Sequence, residues 1–182
     1  MIHFPPLTFL NSLGTSKVFS CLDAAQAYHN ISIEEKSRPL TAFATAFGIF
    51  HFARLPFGLK NAGAAYCRLV KKIIDMLGVE GVLAYLDDLL IHSQDAETHF
   101  KLLRLVFLAH REAGIKLNAD KTSLFRTEVE YFGHVINNEG IKLMPSYVQK
   151  IVDWLMPMSG KELSAFSGFT GYYREFYQGL QK

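Results

Sequence analysis

The 182-residue chain is long enough to bury the core of one domain, and its 49% hydrophobic and 20% charged residues exclude a disordered polymer. Its 19 Lys and Arg against 17 Asp and Glu leave a net charge of +2, too little to infer a nucleic-acid partner from overall charge. Cys21 and Cys67 form no CxxC pair and read as free thiols, and no secretory signal or apolar run of about 18 residues is present, so the expectation is a soluble intracellular protein with no membrane partner.

In chain order, residues 7–13 read as a short helix ended by Gly14, before the strand-like Lys17-Val18-Phe19-Ser20-Cys21-Leu22 that runs into Asp23. Residues 41–55 carry Phe43, Phe47, Phe50 and Phe52 around Gly48 and predict two strands joined by a turn. Tyr66, Val70, Ile73, Ile74 and Leu77 recur at helical spacing and predict a helix over 64–77. Residues 82–91 are apolar except for Asp87-Asp88 at their middle, which predicts a hairpin.

The clearest helix spans 95–113, with Phe100, Leu103 and Phe107 as its apolar stripe and Gly114 as its stop. Short strands are expected at 129–132 and 134–136 around Gly133, then a helix from Pro145 and an aromatic-rich helix over 161–177. Strands and helices mix without regular alternation, which predicts an α+β fold. A boundary near Asn137-Asn138-Glu139-Gly140 would separate residues 1–140 from a helical segment over 141–182.

Adjacent carboxylates inside an apolar run need a physical reason. Each raises the other's pKa, and burial makes ionisation costlier. One reading is a hairpin turn, where Asp tolerates left-handed geometry and bonds nearby backbone. The other is a divalent cation, which favours the charged form and suits hard oxygen ligands. Asp23 at the end of another apolar strand supplies a third carboxylate, and three such groups can hold two metals about 4 Å apart. Spacing leaves open whether the strands are neighbours.

The ordered series Leu22-Asp23 … Tyr28-His29, Leu55-Pro56-Phe57-Gly58-Leu59, Tyr85-Leu86-Asp87-Asp88, Leu117-Asn118-Ala119-Asp120-Lys121 and Tyr131-Phe132-Gly133-His134 resembles reverse transcriptases. The likeness is to the pol polyprotein of gypsy-like LTR retrotransposons, and it reaches Lys161-Glu162-Leu163 and Tyr172-Tyr173-Arg174-Glu175-Phe176. It implies, over 1–140, a palm with an antiparallel sheet backed by helices and with partial, truncated fingers, and over 141–182 the start of a helical thumb or connecting segment. It also implies RNA-directed DNA polymerase activity, with a template, a DNA primer and dNTPs as partners.

By position the resemblance makes Asp23, Asp87 and Asp88 the catalytic metal triad for two Mg²⁺ (or Mn²⁺) ions, with the Ala24 carbonyl completing one shell. Tyr28 takes the place of an aromatic gate against a 2′-hydroxyl, the alternative being a core tyrosine. Phe57 and Gly58 flank the nucleotide pocket. Lys121 stands near the triphosphate as a proton donor, the alternative being a surface lysine. Phe132, Gly133 and His134 match the primer grip.

Arg54, Lys60, Arg68, Lys71 and Lys72 form an acid-free basic stretch that faces phosphates or, for the last two, solvent. His29, His51, His92, His99 and His110 show no metal-ligand spacing and read as structural or surface groups. The sequence departs from the family pattern at Ala62-Gly63, where Ala-Pro is common, at Trp154-Leu155, where Trp-Pro is common, and at Ser167, which replaces a Leu and is expected to loosen helix packing. RNase H and integrase regions of such a polyprotein are absent from the sequence. A silent remnant that folds and binds nucleic acid, and an unrelated two-metal phosphodiester-cleaving enzyme, are the competing readings.

Overall fold

The computed structural model describes residue 13 and residues 15–85, 88–131 and 133–172. The first strand, β1 (Val18–Ala24), is followed by 3₁₀ turns at Ala27–Asn30 and Glu35–Thr41, and by a ribbon of β2 (Phe43–Thr45) and β3 (Gly48–Phe50). Helix α1 (Ala62–Leu77), strands β4 (Val82–Tyr85) and β5 (Asp88–Ser93), and helix α2 (Ala96–Glu112) come next. Strands β6 (Leu117–Arg126), β7 (Glu128–Tyr131), β8 (His134–Asn137) and β9 (Gly140–Leu143) precede α3 (Pro145–Val152) and α4 (Gly160–Tyr172). The predicted helix at 7–13 and the last residues of the predicted 161–177 helix lie outside the described residues, apart from Leu13, which is in a 3₁₀ conformation.

The central sheet runs in the order β4-β5-β1-β6, and every pairing in it is antiparallel. Successive strand residues point to opposite faces, so one face collects Leu22, Ala24, Leu89 and Ile91. These pack with Tyr66, Val70 and Ile73 of α1 and with Leu102, Leu103 and Val106 of α2 in one hydrophobic cluster. The other face carries Cys21 and Asp23. Fold class and the hairpin over 82–91 therefore follow the pattern in the sequence.

Helix α2 starts where the Asp95 carboxylate accepts from the Thr98 amide (2.8 Å) and from its hydroxyl (2.8 Å), and Gly114 follows its end at φ +69°. Its buried stripe differs from the expected one. His99, Leu102, Leu103, Val106 and His110 face inward, whereas Phe100 is 60% exposed and Phe107 is 39% exposed. A shift of one residue turns a helix by about 100°. The shift is possible because both histidines find partners inside. His110 Nδ1 donates to the Val106 carbonyl at 2.8 Å. His99 joins three elements of the sheet.

That junction has one consistent set of protons. The Phe125 amide donates to Ser20 Oγ (3.0 Å), which donates to His99 Nε2 (2.7 Å). His99 Nδ1 donates to Ser93 Oγ (3.0 Å), which donates to the Asp95 carbonyl (2.8 Å). A neutral imidazole satisfies every member, and burial lowers the His99 pKa. Burial likewise lowers the pKa of His92, whose Nδ1 meets Ser16 Oγ at 2.9 Å, with His99 adding to the effect, and of His110.

Strand β6 was not expected from the sequence. Its Leu-Asn-Ala-Asp-Lys-Thr-Ser-Leu-Phe-Arg run is polar and follows no clean alternation, because its pairing with β1 is interrupted by two register shifts. The expected boundary at 137–140 is instead the turn of the β8–β9 hairpin, where Asn137 pairs with Gly140. The chain divides into compact units at Val129–Glu130. In the second unit Tyr147 stacks on Phe169, and Trp154 packs against Phe166 and Phe169. Ser167 is exposed and takes no place in that packing.

Two predictions follow from these contacts. Gly81 sits at φ +87°, and a Cβ there would lie 2.5 Å from the His92 carbonyl oxygen. Gly81→Ala is expected to cost about 2 kcal/mol or more in urea unfolding. His92, His99 and His110 are held neutral in the fold but titrate near 6.5 when unfolded, so unfolding takes up protons. Their contribution is present above pH 6.5 and is lost as pH falls below it. The urea midpoint should drop between pH 7.5 and 5.5, and a flat profile would contradict this.

Candidate active site

The register of β1 decides which side chains meet. Asp23 stands opposite Asp88 on β5 and opposite Asn118 on β6, so a row of Asp88, Asp23 and Asn118 crosses three strands. Residues directly opposed on antiparallel strands have Cβ atoms about 5 Å apart, and like charges so placed repel. The open question of whether the two carboxylate strands are neighbours is thus answered for Asp23 and Asp88. Asp87 lies outside the described residues, and among the described residues no three acidic, histidine or cysteine side chains form a metal-sized cluster.

Asp23 is 17% exposed, within reach of solvent, and its Oδ1 lies 3.8 Å from Lys121 Nζ. That distance exceeds the roughly 2.8 Å of a charge-assisted hydrogen bond, so the ammonium is a neighbour of the carboxylate rather than its ligand. Opposed hard-oxygen donors at the solvent edge of a sheet fit Mg²⁺ or Mn²⁺, whose charge would remove the repulsion. Beneath them, burial pushes the Cys21 thiol up to about 12, with the Asp88 charge adding to the rise and a Ser123 hydrogen bond opposing it.

Beyond Asp23 the chain turns through Ala27–Asn30, which presents Tyr28. Asn30 holds this turn. Its Nδ2 donates to the Ala25 and Ala27 carbonyls (3.0 and 3.3 Å), and its Oδ1 accepts from the Lys116 amide (3.3 Å). The Leu55–Gly58 loop is tied to the same turn, since the Leu55 amide donates to the Ile31 carbonyl (2.9 Å) and Arg54 Nη1 donates to the Asn30 carbonyl (3.0 Å).

Pro56 is buried and fixes the loop, while the exposed Phe57 ring sits 5.2 Å from that of Tyr28 and 5.0 Å from His29. Gly58 adopts φ +88° with open space around it, a conformation that favours glycine. Tyr28 is half-buried, contacts Tyr66 edge-on at 6.2 Å, and its hydroxyl lies 3.5 Å from where a Gly63 Cβ would be. Tyr28, Phe57 and Gly58 therefore share one corner, where Tyr28 contacts both Tyr66 of the core and Phe57 of the loop.

The remaining expected residues are placed differently. Ala24 is buried next to Asp23 at the end of β1. Lys71 is engaged by Asp75 at 3.0 Å on the exposed helix face, which supports the solvent reading for that residue. Gly133 turns at φ +76° between β7 and β8, and Phe132 lies outside the described residues. His134 is 2% exposed, and burial lowers its pKa. Sequence reasoning missed Asn30 and Ser20 and left the partners of His99 unnamed, since these roles depend on residues far along the chain.

Residues 1–136 match the family model described as reverse transcriptase (RNA-dependent DNA polymerase). The chain is 40% identical over 95% of its length to the retrovirus-related Pol polyprotein from transposon opus of Drosophila melanogaster, and 31% identical over 92% to that from transposon gypsy of the same organism. It spans 17% and 16% of those relatives. Among solved structures, a foamy viral protease-reverse transcriptase in complex with double-stranded DNA superposes with a TM-score of 0.86 at 28% identity, over 96% of this chain and 30% of that one. No helix among the described residues is long and apolar enough to cross a membrane.

The coupling between Asp88 and Cys21 offers a direct check. Asp88→Asn removes a charge that raises the thiol pKa, so alkylation of Cys21 by a small reagent at pH 8.5 is expected to accelerate. An unchanged rate would show that the two groups do not interact.

Proposed function

Because this chain belongs to the reverse transcriptase (RNA-dependent DNA polymerase) family, we propose that it extends a DNA primer on an RNA or DNA template by nucleotidyl transfer from dNTPs. The observation that carries this reading is the register that sets Asp23 opposite Asp88, with Lys121 beside Asp23. In this reading residues 1–140 form the palm with part of the fingers, and 141–182 begin the thumb.

Asp23, Asp87 and Asp88 would hold two Mg²⁺ or Mn²⁺ ions, with the Ala24 carbonyl as a further oxygen ligand. Bound there, the ions would supply Lewis-acid stabilisation of the attacking and leaving oxygens. The primer 3′-hydroxyl oxygen forms the new bond to the α-phosphorus, and its proton passes to solvent. The bond from that phosphorus to the α,β-bridging oxygen breaks, and pyrophosphate leaves with the electron pair. Lys121 Nζ gives a proton to the departing pyrophosphate. Little covalent work falls to the protein, so positioning and charge carry the rate.

Tyr28 would lie beneath the incoming sugar, backed by Tyr66 and flanked by Phe57, so that a 2′-hydroxyl meets a ring with no room to retreat. The Gly58 backbone leaves space for the nucleotide. His134 is buried, so a primer seated at Phe132-Gly133-His134 would meet the turn's backbone rather than the imidazole.

Extension of a DNA primer on an RNA template with Mg²⁺ or Mn²⁺ tests the reading, beside Asp87→Asn as control. Extension abolished by that change is the expected result. Tight primer–template binding without extension would favour a silent, nucleic-acid-binding remnant, and cleavage without added nucleotides would favour a phosphodiester-cleaving enzyme. Tyr28→Ala is expected to admit ribonucleotides about tenfold more readily relative to deoxyribonucleotides, measured as a ratio of kcat/KM values.

A further inference from the structure

Lys121 reaches Asp23 because β6 leaves its ladder. Between the pairs Asp23↔Asn118 and Cys21↔Ser123, β1 advances two residues and β6 advances five. An ordinary bulge adds one residue, so this excursion is unusually large and needs its own support. Two hydrogen bonds supply it. Asn118 Oδ1 accepts from the Asp120 amide at 3.1 Å, and the Asn118 carbonyl accepts from Thr122 Oγ1 at 2.6 Å.

Together they close residues 118–122 into a loop with Lys121 inside it. The lysine side chain is 68% exposed, with a long flexible stem. An exposed ion pair at 3.8 Å is too weak to order such a chain, so the backbone must already aim it.

We propose that Asn118 and Thr122 are positioning residues that fold this bulge and so hold the Lys121 ammonium against Asp23. The inference deepens the reading of Lys121 as proton donor and rests on it for its effect on rate, though not for the geometry. Asn118 acts twice, through its side chain and through its carbonyl. Its side chain imitates a backbone carbonyl in a tight turn, a role open to Asn and Asp and closed to Ala. Thr122 needs only its hydroxyl, so Ser should replace it and Val should not.

The test has two arms, both on the full chain. By NMR, a contact between the Lys121 ε-methylene and Asp23 protons is expected in the wild type and in Thr122→Ser, and is expected to vanish in Thr122→Val and Asn118→Ala. Urea midpoints identify any variant that has lost its fold, and Thr122→Ser keeps the comparison valid if Asn118→Ala does not fold. A contact that survives loss of the hydroxyl overturns the proposal, whether or not the chain extends a primer.

In primer extension, Thr122→Val should lower kcat about tenfold with little change in the KM for dNTP, a part of the roughly 100-fold or more that a positioned proton donor contributes. Combined with Lys121→Ala, it should lower kcat no further than Lys121→Ala alone. Additive losses would mean that Thr122 acts on general structure and would overturn the proposal. Extension that is indifferent to Lys121→Ala, with the NMR contact present, would instead sink the proton-donor reading while the positioning claim stands.

Discussion

The register of β1 between β5 and β6 is the constraint on which the rest of the first unit depends, and His99 is what holds it. Ser20 lies on β1, Ser93 on β5, the Phe125 amide on β6 and the imidazole on α2. A strand slipped by one residue would turn every side chain to the opposite face. It would also leave a buried imidazole without its hydroxyl partners, at a cost of about 1–3 kcal/mol per unsatisfied group. The same register places Leu22 and Leu89 in the core and Asp23 opposite Asp88 on the far face. Core and site are thus set by one hydrogen-bonded junction.

The site itself is a concentration of negative charge offset by position. Two opposed carboxylates repel, the charge at Asp88 helps raise the Cys21 thiol, and Lys121 approaches without making a short contact. Such an arrangement opposes stability, and a divalent cation bound there would relieve the repulsion. The corner of Tyr28, Phe57 and Gly58 is built differently. Asn30 and Arg54 fasten the Tyr28 turn to the Leu55–Gly58 loop through backbone groups, leaving Phe57 and Gly58 outward. Rigid attachment behind and open space in front suit the sugar-discriminating role proposed for Tyr28.

Much of this was legible in the residues. Periodicity located α1 and the β4–β5 hairpin, Pro145 marked the start of α3, and the ordered motifs pointed to the reverse transcriptase family to which the chain belongs. The reading failed where long-range partners override local pattern. Phe100 and Phe107 formed a credible apolar stripe, yet the helix turns His99 inward because the Ser20 and Ser93 hydroxyls await it there, and His110 follows on the same face with its Nδ1 bonded within its own helix. Strand β6 gave no strand signal because its bulges break the alternation on which a strand is recognised.

By itself, the sequence determined the inventory: an α+β chain with three aspartates in apolar strands, an aromatic after the first, a Pro-Phe-Gly loop and a lysine following Asn118. Those features depend only on residue type and order. Only the tertiary structure decided that Asp23 faces Asp88, that Tyr28 meets Phe57, and that Asn118 and Thr122 carry Lys121 to Asp23. Each of these pairs joins residues brought together by strand register or by a bulge. Register is a property of paired strands, fixed by hydrogen bonds between segments as much as 105 residues apart, as between Ser20 and Phe125.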